Sequence, residues 1–431
     1  MLNINARPRI GMVLTNAGYP WDGRLEKEAR SLTAAGYEVH LLCPFGKEGQ
    51  SASEDVREIH VHRIQAPGPV TRLRQKVHYY LKGVDDNWLG AIIAFAKEQE
   101  IDALHIHDLA HALTAEAAGK ALGIPVVFDM HGDGPAAVEM HRAANPVPFR
   151  PALALKRAVL SLLVGNDIKW LRRMEKRALQ QADHVIVVVD ESKERLVKLG
   201  TPDDKVTVVM NCEETDNFLS IPINSGLVKT YEERFVVSYV GGMEAVRGLD
   251  ILIDSFPMVA ARIPNATLLL VGDGYMRSRL EAQAQRRGLQ AKVVFTGWVD
   301  FSLVPTYIAI SQVCAVPHSN NALTDTTIPH KLFQCMLMGK PVVALPVRPI
   351  KRILEETGAG IVARDESPEA LAAAILQAAE PEQARLMGER GKLAATDKYS
   401  WANEGEKLVR AYERLAKHSH GEPTRSPAPA P

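Results

Sequence analysis

The chain has 431 residues, of which 46% are apolar and 24% are charged, as in folded proteins long enough for two domains. Its formal net charge of zero excludes a global electrostatic attraction to nucleic acid. None of the four cysteines forms a CxxC pair, so we expect buried free thiols in a reducing compartment rather than a disulfide framework or a zinc site.

Neither a signal peptide nor a membrane-spanning segment is expected. The N-terminal residues lack an apolar signal core, and the chain has no uncharged apolar run of about 18 residues. We therefore expect a cytoplasmic protein, or one that rests on the inner face of the cytoplasmic membrane.

The first half of the chain alternates short apolar runs with amphipathic helical patterns. The runs read RIGMVLT, YEVHLLC, DALHIHD, IPVVFDM, DHVIVVVD and KVTVVMN. Alternation of this kind is typical of a parallel sheet covered by helices on both faces. It predicts an α/β domain of the Rossmann-like, doubly wound type over residues 1–214.

The alternation of strand and helix patterns stops over residues 215–232, which are the predicted linker, and then resumes. The runs RFVVSYV, ATLLLVG, KVVFTG, SQVCAVP and GKPVVALPV predict a second Rossmann-like domain over 233–400. An amphipathic helix over 401–417 is expected to pack back toward the N-terminal domain, and the Pro-rich tail 418–431 is expected to be disordered. Ligands bind outside the carboxyl ends of parallel strands, so we expect a site in a cleft between two facing domains.

Two stretches of the N-terminal domain are basic and amphipathic, PFRPALALKRAVLSLLVGNDIKWLRRMEKRAL and TRLRQKVHYYLKG. Basic residues next to leucine and aromatic side chains are typical of contact with an anionic membrane surface. A domain helix with a solvated basic face explains the same pattern. No nucleic-acid-binding motif is present. The cations concerned are Arg72, Arg74, Lys76, Lys82, Lys156, Arg157, Lys169, Arg172, Arg173, Lys176 and Arg177.

In the C-terminal half, three predicted strands each end in a turn that leads into a helix. In YVGGMEAVRGLD, Gly241 and Gly242 permit close approach of the backbone to a phosphate. Arg247 can make a bidentate contact with a diphosphate. An ordinary strand-to-helix turn with a surface arginine would carry the same residues.

The second turn, LLLVGDG, contains Gly272 and Asp273, and Asp273 is expected to cap the next helix. In the third, TTIPHKLFQCMLMGKPVVA, Pro329 suits the first position of a helix whose amides could bind an anion. Lys331 adds positive charge, and Gln334 lies one turn further on, where it could reach a ribose. An ordinary capped helix is the alternative.

Together these segments resemble the C-terminal domain of the family 4-type glycosyltransferases, which have the GT-B fold. The N-terminal half is similar to that family through DGRLEKEARSLTAAGYEVHLLC, DALHIHD, VVFDMHG and KVTVVMNCEETDNF. The resemblance covers roughly residues 8 to 415 and rests on the joint order and spacing of the motifs. It implies a retaining enzyme that uses a nucleotide sugar. No metal is required if Arg247, Lys331 and helix amides carry the phosphate charge, and no cofactor is expected.

The family's usual pair of glutamates is missing from the third segment. Alignment on GKPVVA places Thr326 and Gln334 where the resemblance implies carboxylates for the transferred sugar and for the ribose. Asp325 is displaced by one position, and Thr327 is a further predicted donor-binding residue. Weaker nucleotide binding, or loss of activity, is the expected consequence.

The resemblance places Arg247 next to the diphosphate as the main cation, with Lys331 as a second. Arg247 and His131 are the predicted catalytic residues, because His131 ends the strand VVFDM near the expected position of the donor sugar. His107 is a competing candidate: with His105 it alternates along DALHIHD, so both are expected on one face of the strand. A metal bound there is not expected, because no third ligand is evident.

Residues on the acceptor side are expected in the first loop, TNAGYPWDGRLEKEA, where Asp22 and Arg24 are the polar candidates, and at His107. The predicted function is transfer of a hexose-type sugar from a UDP- or GDP-sugar to a glycan or a polyprenyl-diphosphate-linked acceptor, in bacterial-type surface polysaccharide synthesis. Two alternatives stay open: a non-catalytic nucleotide-sugar-binding protein and a sugar-nucleotide epimerase of the same fold.

Overall fold

The computed structural model describes residues 7–16, 18–20, 23–65, 73–144 and 167–419. Contacts divide the chain into two compact units. The first unit comprises residues up to Val188, Lys193–Val209 and the residues from Gly405 onward, and the second comprises Val189–Ser192 and Met210–Glu404. The predicted linker 215–232 lies in the second unit and contains two short helices.

The first unit is built on an eight-stranded sheet in the order β3-β4-β2-β1-β5-β6-β7-β8. All pairings are parallel except the antiparallel pairing of β3 with β4. The strands are β1 (Arg9–Val13), β2 (Glu38–Pro44), β3 (Ser53–Val56), β4 (Ile59–Ile64), β5 (Ala103–His107), β6 (Val126–Met130), β7 (His184–Val187) and β8 (Val206–Val208).

Helices surround this sheet, as the alternating pattern predicted. They are α1 (Gly23–Ala34), α2 (Leu73–Lys82), α3 (Asp86–Glu98), α4 (Ala112–Leu122), α5 (Gly134–Ala144), α6 (Asp167–Gln181) and α7 (Asp190–Lys198). The central strands β5 and β6 are buried along their whole length, which explains their nearly continuous apolar sequences.

The second unit has a six-stranded parallel sheet in the order β11-β10-β9-β12-β13-β14. Its strands are β9 (Phe235–Val240), β10 (Ala266–Val271), β11 (Val293–Gly297), β12 (Val313–Val316), β13 (Val342–Ala344) and β14 (Gly360–Val362). The chain winds outward from β9 in one direction and then returns to continue from β12 in the other. The gap between the carboxyl ends of β9 and β12 is therefore the topological switch point, where ligands of such sheets bind.

The helices of the second unit alternate with its strands. They are α8 (Thr215–Leu219), α9 (Ser225–Thr230), α10 (Leu249–Arg262), α11 (Arg277–Arg286), α12 (Val304–Ile310), α13 (His330–Leu337), α14 (Arg348–Thr357), α15 (Pro368–Ala378) and α16 (Pro381–Asp397). A large apolar core packs α10 and α15 against the sheet, with Phe256, Leu268 and Leu371 fully buried.

The last helix, α17 (Trp401–Ser419), begins in the second unit, and its residues from Gly405 onward belong to the first. The hydroxyl of Tyr412 lies 2.7 Å from Nδ1 of His105. This contact confirms that the C-terminal helix returns to the N-terminal domain.

Two further expectations concern the thiols and the membrane. All four cysteines are free and buried, as expected. Within the described ranges, no helix combines the length and the apolar character needed to cross a bilayer.

Candidate functional site

In the second unit, the turns that follow β9 and β10 lie against each other. The backbone N–H of Gly241 donates to the carbonyl of Val271, and that of Met243 donates to the carbonyl of Asp273, both at 2.8 Å. Gly272 has φ +124°, and a Cβ there would collide with the carbonyl oxygen of Gly241. Only glycine fits at position 272, so the two turns form one compact backbone platform.

Arg247 follows β9 and reaches the residue that follows β12. Its Nη1 donates to Nε2 of His318 at 2.7 Å, and its Nη2 donates to Glu244 at 2.9 Å. His318 is only 2% exposed. Burial, then the charges of Arg247 and Lys331, hold the pKa of His318 well below its usual range. The imidazole is therefore neutral, and its lone pair fixes Arg247 at the switch point.

Lys331 lies in the first turn of α13 and points toward the turn after β9. Its Nζ lies 3.6 Å from the centre of the Tyr239 ring, and a Cβ on Gly241 would collide with it. Among the described residues, no carboxylate lies within ion-pair distance of this ammonium group. Burial, reinforced by Arg247, lowers the pKa of Lys331 well below its usual value. An anion bound here would stabilise the charged ammonium group and so raise its pKa again.

A cavity of about 190 Å³ opens beside Arg247, and Lys331 follows two of its lining residues, Pro329 and His330, in sequence. Arg247, Thr327 and Pro329, three of the predicted donor-binding residues, line it together with His318. Pro329 is the N-cap of α13, so the N-terminus of that helix lies at the same cavity. The structure thus brings two cations, a helix N-terminus and two glycine turns into one unit, a combination suited to a diphosphate.

Gln334 is not among the residues that line this cavity. It is 7% exposed, and its Nε2 donates to Oε2 of Glu213 at 2.8 Å. A carboxylate therefore does lie at this position, supplied by a residue 121 positions away in sequence. With Nε2 committed to Glu213, the amide oxygen of Gln334 remains available as an acceptor for a hydroxyl group.

Neither Thr326 nor Asp325 reproduces the missing first glutamate. The hydroxyl of Thr326 donates to the carbonyls of Ala322 and Leu323 at 3.0 Å. The carboxylate of Asp325 accepts from the backbone N–H of Arg348 at 3.3 Å. Both side chains are thus engaged with the surrounding backbone.

The expectation that Asp273 caps a helix is wrong. Helix α11 begins at Arg277 with Met276 as its N-cap, and no side chain caps it. Asp273 instead accepts from the N–H of Gly274 at 2.8 Å and from Arg277 at 2.9 Å. Its carboxylate therefore stabilises the turn itself.

In the first unit, His131 lies directly after β6 and bonds to a buried carboxylate. Its Nε2 lies 2.8 Å from Oδ2 of Asp129, and its Nδ1 lies 3.8 Å from Oδ1 of Asp108. Burial alone would lower the pKa of His131, but the charge of Asp129 outweighs it and raises the pKa to about 9. His131 is therefore an imidazolium at neutral pH.

His107 and His105 share a face of β5, as their spacing predicted, with ring centres 4.6 Å apart. Both are buried beside Asp129. The predicted acceptor residue Arg24 is also buried, at 3% exposure, and pairs with Glu28 at 2.8 Å and with Asp129 at 3.2 Å. Asp22 lies outside the described residues.

The two histidines and the two carboxylates are close enough to hold a metal ion. The guanidinium of Arg24, however, already binds both carboxylates. A cation at this position would have to displace that buried charge, so the donor set does not favour a metal.

A second cavity, of about 380 Å³, lies in the first unit and is lined mainly by apolar side chains, including Leu113, Met130 and Trp170. Asp108, which follows β5, also lines it. On α6, the exposed residues Lys169, Arg173 and Lys176 form one basic stripe next to the cavity-facing residues. Residues 148–166 and 71–72 of the two predicted membrane-contacting stretches lie outside the described residues.

Comparison with known proteins extends over most of the chain. The model of the family "Glycosyl transferases group 1" matches residues 234–380, and that of the "Glycosyl transferase 4-like domain" matches residues 24–212. An alpha-D-kanosaminyltransferase of Streptomyces kanamyceticus is 24% identical over 303 residues, which cover 69% of this chain and 72% of that protein.

A phosphatidyl-myo-inositol mannosyltransferase of Mycolicibacterium smegmatis is 23% identical over 95% of this chain and 94% of its own. The structure of the Anabaena protein HepE in complex with UDP-glucose superposes with a TM-score of 0.70. HepE is 16% identical in sequence, and the superposition covers 94% of this chain and 99% of HepE. The structural neighbours are glycosyltransferases of the GT-B fold, which confirms the predicted fold.

Proposed function

The chain belongs to the glycosyltransferases of the GT-B fold, and from that premise we propose that it is a retaining hexosyltransferase. In this proposal the donor is a UDP- or GDP-sugar, bound by the second unit. The acceptor is a glycan or a polyprenyl-diphosphate-linked sugar, bound by the first unit, in the synthesis of a surface polysaccharide.

The observation that carries the proposal is the position of Arg247 in the wall of a cavity at the switch point of the second sheet, with the ammonium group of Lys331 against the adjoining turn at Gly241. Departure of a nucleoside diphosphate develops negative charge on its phosphates. Fixed cations in a partly buried site stabilise that charge without reorganising during the reaction. Two cations and the amides of α13 supply this stabilisation from the protein alone, which supports transfer without a metal.

The environment of Gln334 supports a nucleotide rather than a simple diphosphate as the ligand. Glu213 orients its amide, so that the amide oxygen can accept a hydrogen bond from a ribose hydroxyl. The amide oxygen itself is uncharged, so its bond to the ribose hydroxyl is weaker than a bond to a carboxylate oxygen. The proposal therefore includes moderate rather than tight nucleotide binding.

The first unit supports the proposed acceptor. Its apolar cavity suits part of a lipid chain, and the basic stripe on α6 suits phosphates or an anionic bilayer surface. His131 lies near the cavity as an imidazolium, held by Asp129. In our proposal it contacts the transferred sugar and not the lipid.

The test is incubation of the full chain with radiolabelled UDP- and GDP-sugars and a bacterial membrane extract. Label transferred to the lipid fraction, lost in Arg247→Ala and kept in Arg287→Ala, would support the proposal. Arg287 is a matched control because it is an exposed arginine at the end of α11 and, like Arg247, binds a carboxylate, that of Asp254. An epimerised free sugar nucleotide, or binding without turnover, would contradict transferase activity. The anomeric configuration of the product, read by NMR, tests retention.

A further inference from the structure

Two neighbouring strands of the first sheet carry metal-binding residue types at alternate positions. Strand β2 begins Glu38-Val-His40, and β4 contains His60-Val-His62. The strands are parallel neighbours, with His40 paired to His60 in register. Alternate residues of a strand share one face, so the four side chains lie together on one side of the sheet. Glu38, His40 and His60 lie in the first half of their strands, away from the carboxyl ends of the sheet.

The potential donor atoms of Glu38, His40 and His60 already converge. Oε1 of Glu38 lies 2.9 Å from Nε2 of His40 and 4.0 Å from Nε2 of His60. One donor atom from each of the three residues lies within 4.8 Å of the others. Ligands about 2.0–2.2 Å from a tetrahedral zinc ion lie about 3.4 Å from one another, so small side-chain rotations suffice.

Outer partners hold the two ligating imidazoles in the orientation that a metal requires. Nδ1 of His60 lies 2.6 Å from the carboxylate of Asp55, and Nδ1 of His40 lies 3.1 Å from Nε2 of His62. Each Nδ1–H can therefore donate outward, which leaves the Nε2 lone pair facing inward. The pair of His60 with Asp55 is a carboxylate–histidine pair, which is a usual support of histidine metal ligands.

The charges also suit a cation. Arg9 contacts the other oxygen of Glu38 at 3.4 Å, so Oε1 stays turned toward the histidines. Arg9 is partly exposed and contacts only one oxygen of Glu38, whereas the buried Arg24 binds both carboxylates of the cluster around Asp129.

We propose that Glu38, His40 and His60 form a binding site for a divalent transition-metal ion of the zinc class, with a fourth position left for water. Two imidazoles and one carboxylate favour zinc, cobalt or nickel over magnesium or calcium, which prefer all-oxygen sites. The bound ion would join β2 to β4, whose antiparallel partner β3 forms the edge of the sheet. This site is separate from the proposed transfer reaction and depends on no part of it.

The test uses the full chain without an affinity tag, stripped with a chelator and titrated with Co²⁺ while the visible absorption is recorded. We expect a tetrahedral d–d band that saturates at one equivalent, is displaced by Zn²⁺ and is unaffected by excess Mg²⁺. His60→Gln should abolish the band. This histidine is 42% exposed, so the fold should persist, which circular dichroism checks.

Two further variants sharpen the assignment. Asp55→Asn leaves all three ligands in place but removes the outer carboxylate, and should weaken Co²⁺ binding by about 10–100-fold. His78→Gln is the matched control, because His78 forms a similar pair with Asp86 at 2.6 Å outside the cluster, and it should bind Co²⁺ like the wild type. No saturable band in the wild type, a band kept in His60→Gln, or an equal loss in His78→Gln would each overturn the proposal.

Discussion

Replacement of Lys331 by methionine should separate the stability of the protein from its affinity for the donor. Methionine has a similar length and flexibility but no charge. A charge-assisted hydrogen bond contributes about 1.5–3 kcal/mol, so the dissociation constant for UDP or GDP should rise by roughly 10–150-fold. The ligand-free protein should lose little, because its ammonium has no carboxylate partner among the described residues. Removal of the charge removes the free-energy cost of burying it and its repulsion from Arg247. These gains offset the lost contact with the Tyr239 ring.

The pH dependence of binding follows from the same residue. In the free protein the pKa of Lys331 is lowered by burial, and a bound diphosphate should raise it. Nucleotide affinity should therefore fall as the pH rises from the free-state pKa toward the bound-state pKa, and this part of the slope should vanish in Lys331→Met.

Isothermal titration of UDP and GDP, together with thermal melts of the ligand-free proteins, measures both effects. Lys340→Met is the matched control. The pKa of Lys340 is also lowered by burial, but its Nζ donates to the carbonyl of Ala309, away from the cavity. Wild-type nucleotide affinity in Lys331→Met, or an equal loss in Lys340→Met, would refute the role given to Lys331.

Three other substitutions test further parts of the structure. Asp129→Asn should lower the pKa of His131 from about 9 to its usual range or below, as read from the imidazole NMR signals. The pair of His131 with Asp129 contributes its whole stabilisation below the pKa that His131 has in the unfolded chain. This contribution is lost as the pH rises through about 9, and the variant should not show that loss of stability. Gln334→Glu places a second carboxylate against Glu213 and should lower the free energy of unfolding by about 1–3 kcal/mol. The double variant with Glu213→Gln should recover it in urea titrations; no recovery would contradict the pairing. Gly272→Ala should cost about 1–3 kcal/mol by the same assay, because its positive φ is strained for alanine.

The sheets and their turns could be predicted from sequence because they depend on local patterns. The alternation of apolar runs with helical patterns predicts parallel strands. The glycines at the strand ends predict the turns at Gly241 and Gly272. The same-face position of His105 and His107 follows from the two-residue period of a strand alone.

The partners of the site residues could not be predicted, because they come from distant parts of the chain. Gln334 meets Glu213 across 121 positions, and Arg247 meets His318 across 71. The neighbouring positions of β9 and β12 bring Arg247 to His318, whereas Glu213 reaches Gln334 from the segment before α8. From the sequence, the absence of a glutamate at position 334 predicted the loss of a carboxylate. In the structure, Glu213 supplies a carboxylate to Gln334.

Asp273 shows the limit of a local signal. An aspartate just before a helical pattern is typical of an N-cap, yet the helix begins four residues later, at Arg277. The side chain bonds within its own turn because the turn after β10 packs directly on the turn after β9. The packing of the two turns therefore determines the partners of Asp273, and neither turn's sequence indicates that packing.

The most direct test of the proposed donor site is the binding of UDP and GDP to the wild type and to Arg247→Ala, measured by isothermal titration at low salt. We predict saturable binding of at least one nucleotide at one site per chain, weakened tenfold or more in the variant. The absence of binding by both nucleotides, or equal affinity in Arg247→Ala, would contradict the assignment of the donor diphosphate to this site.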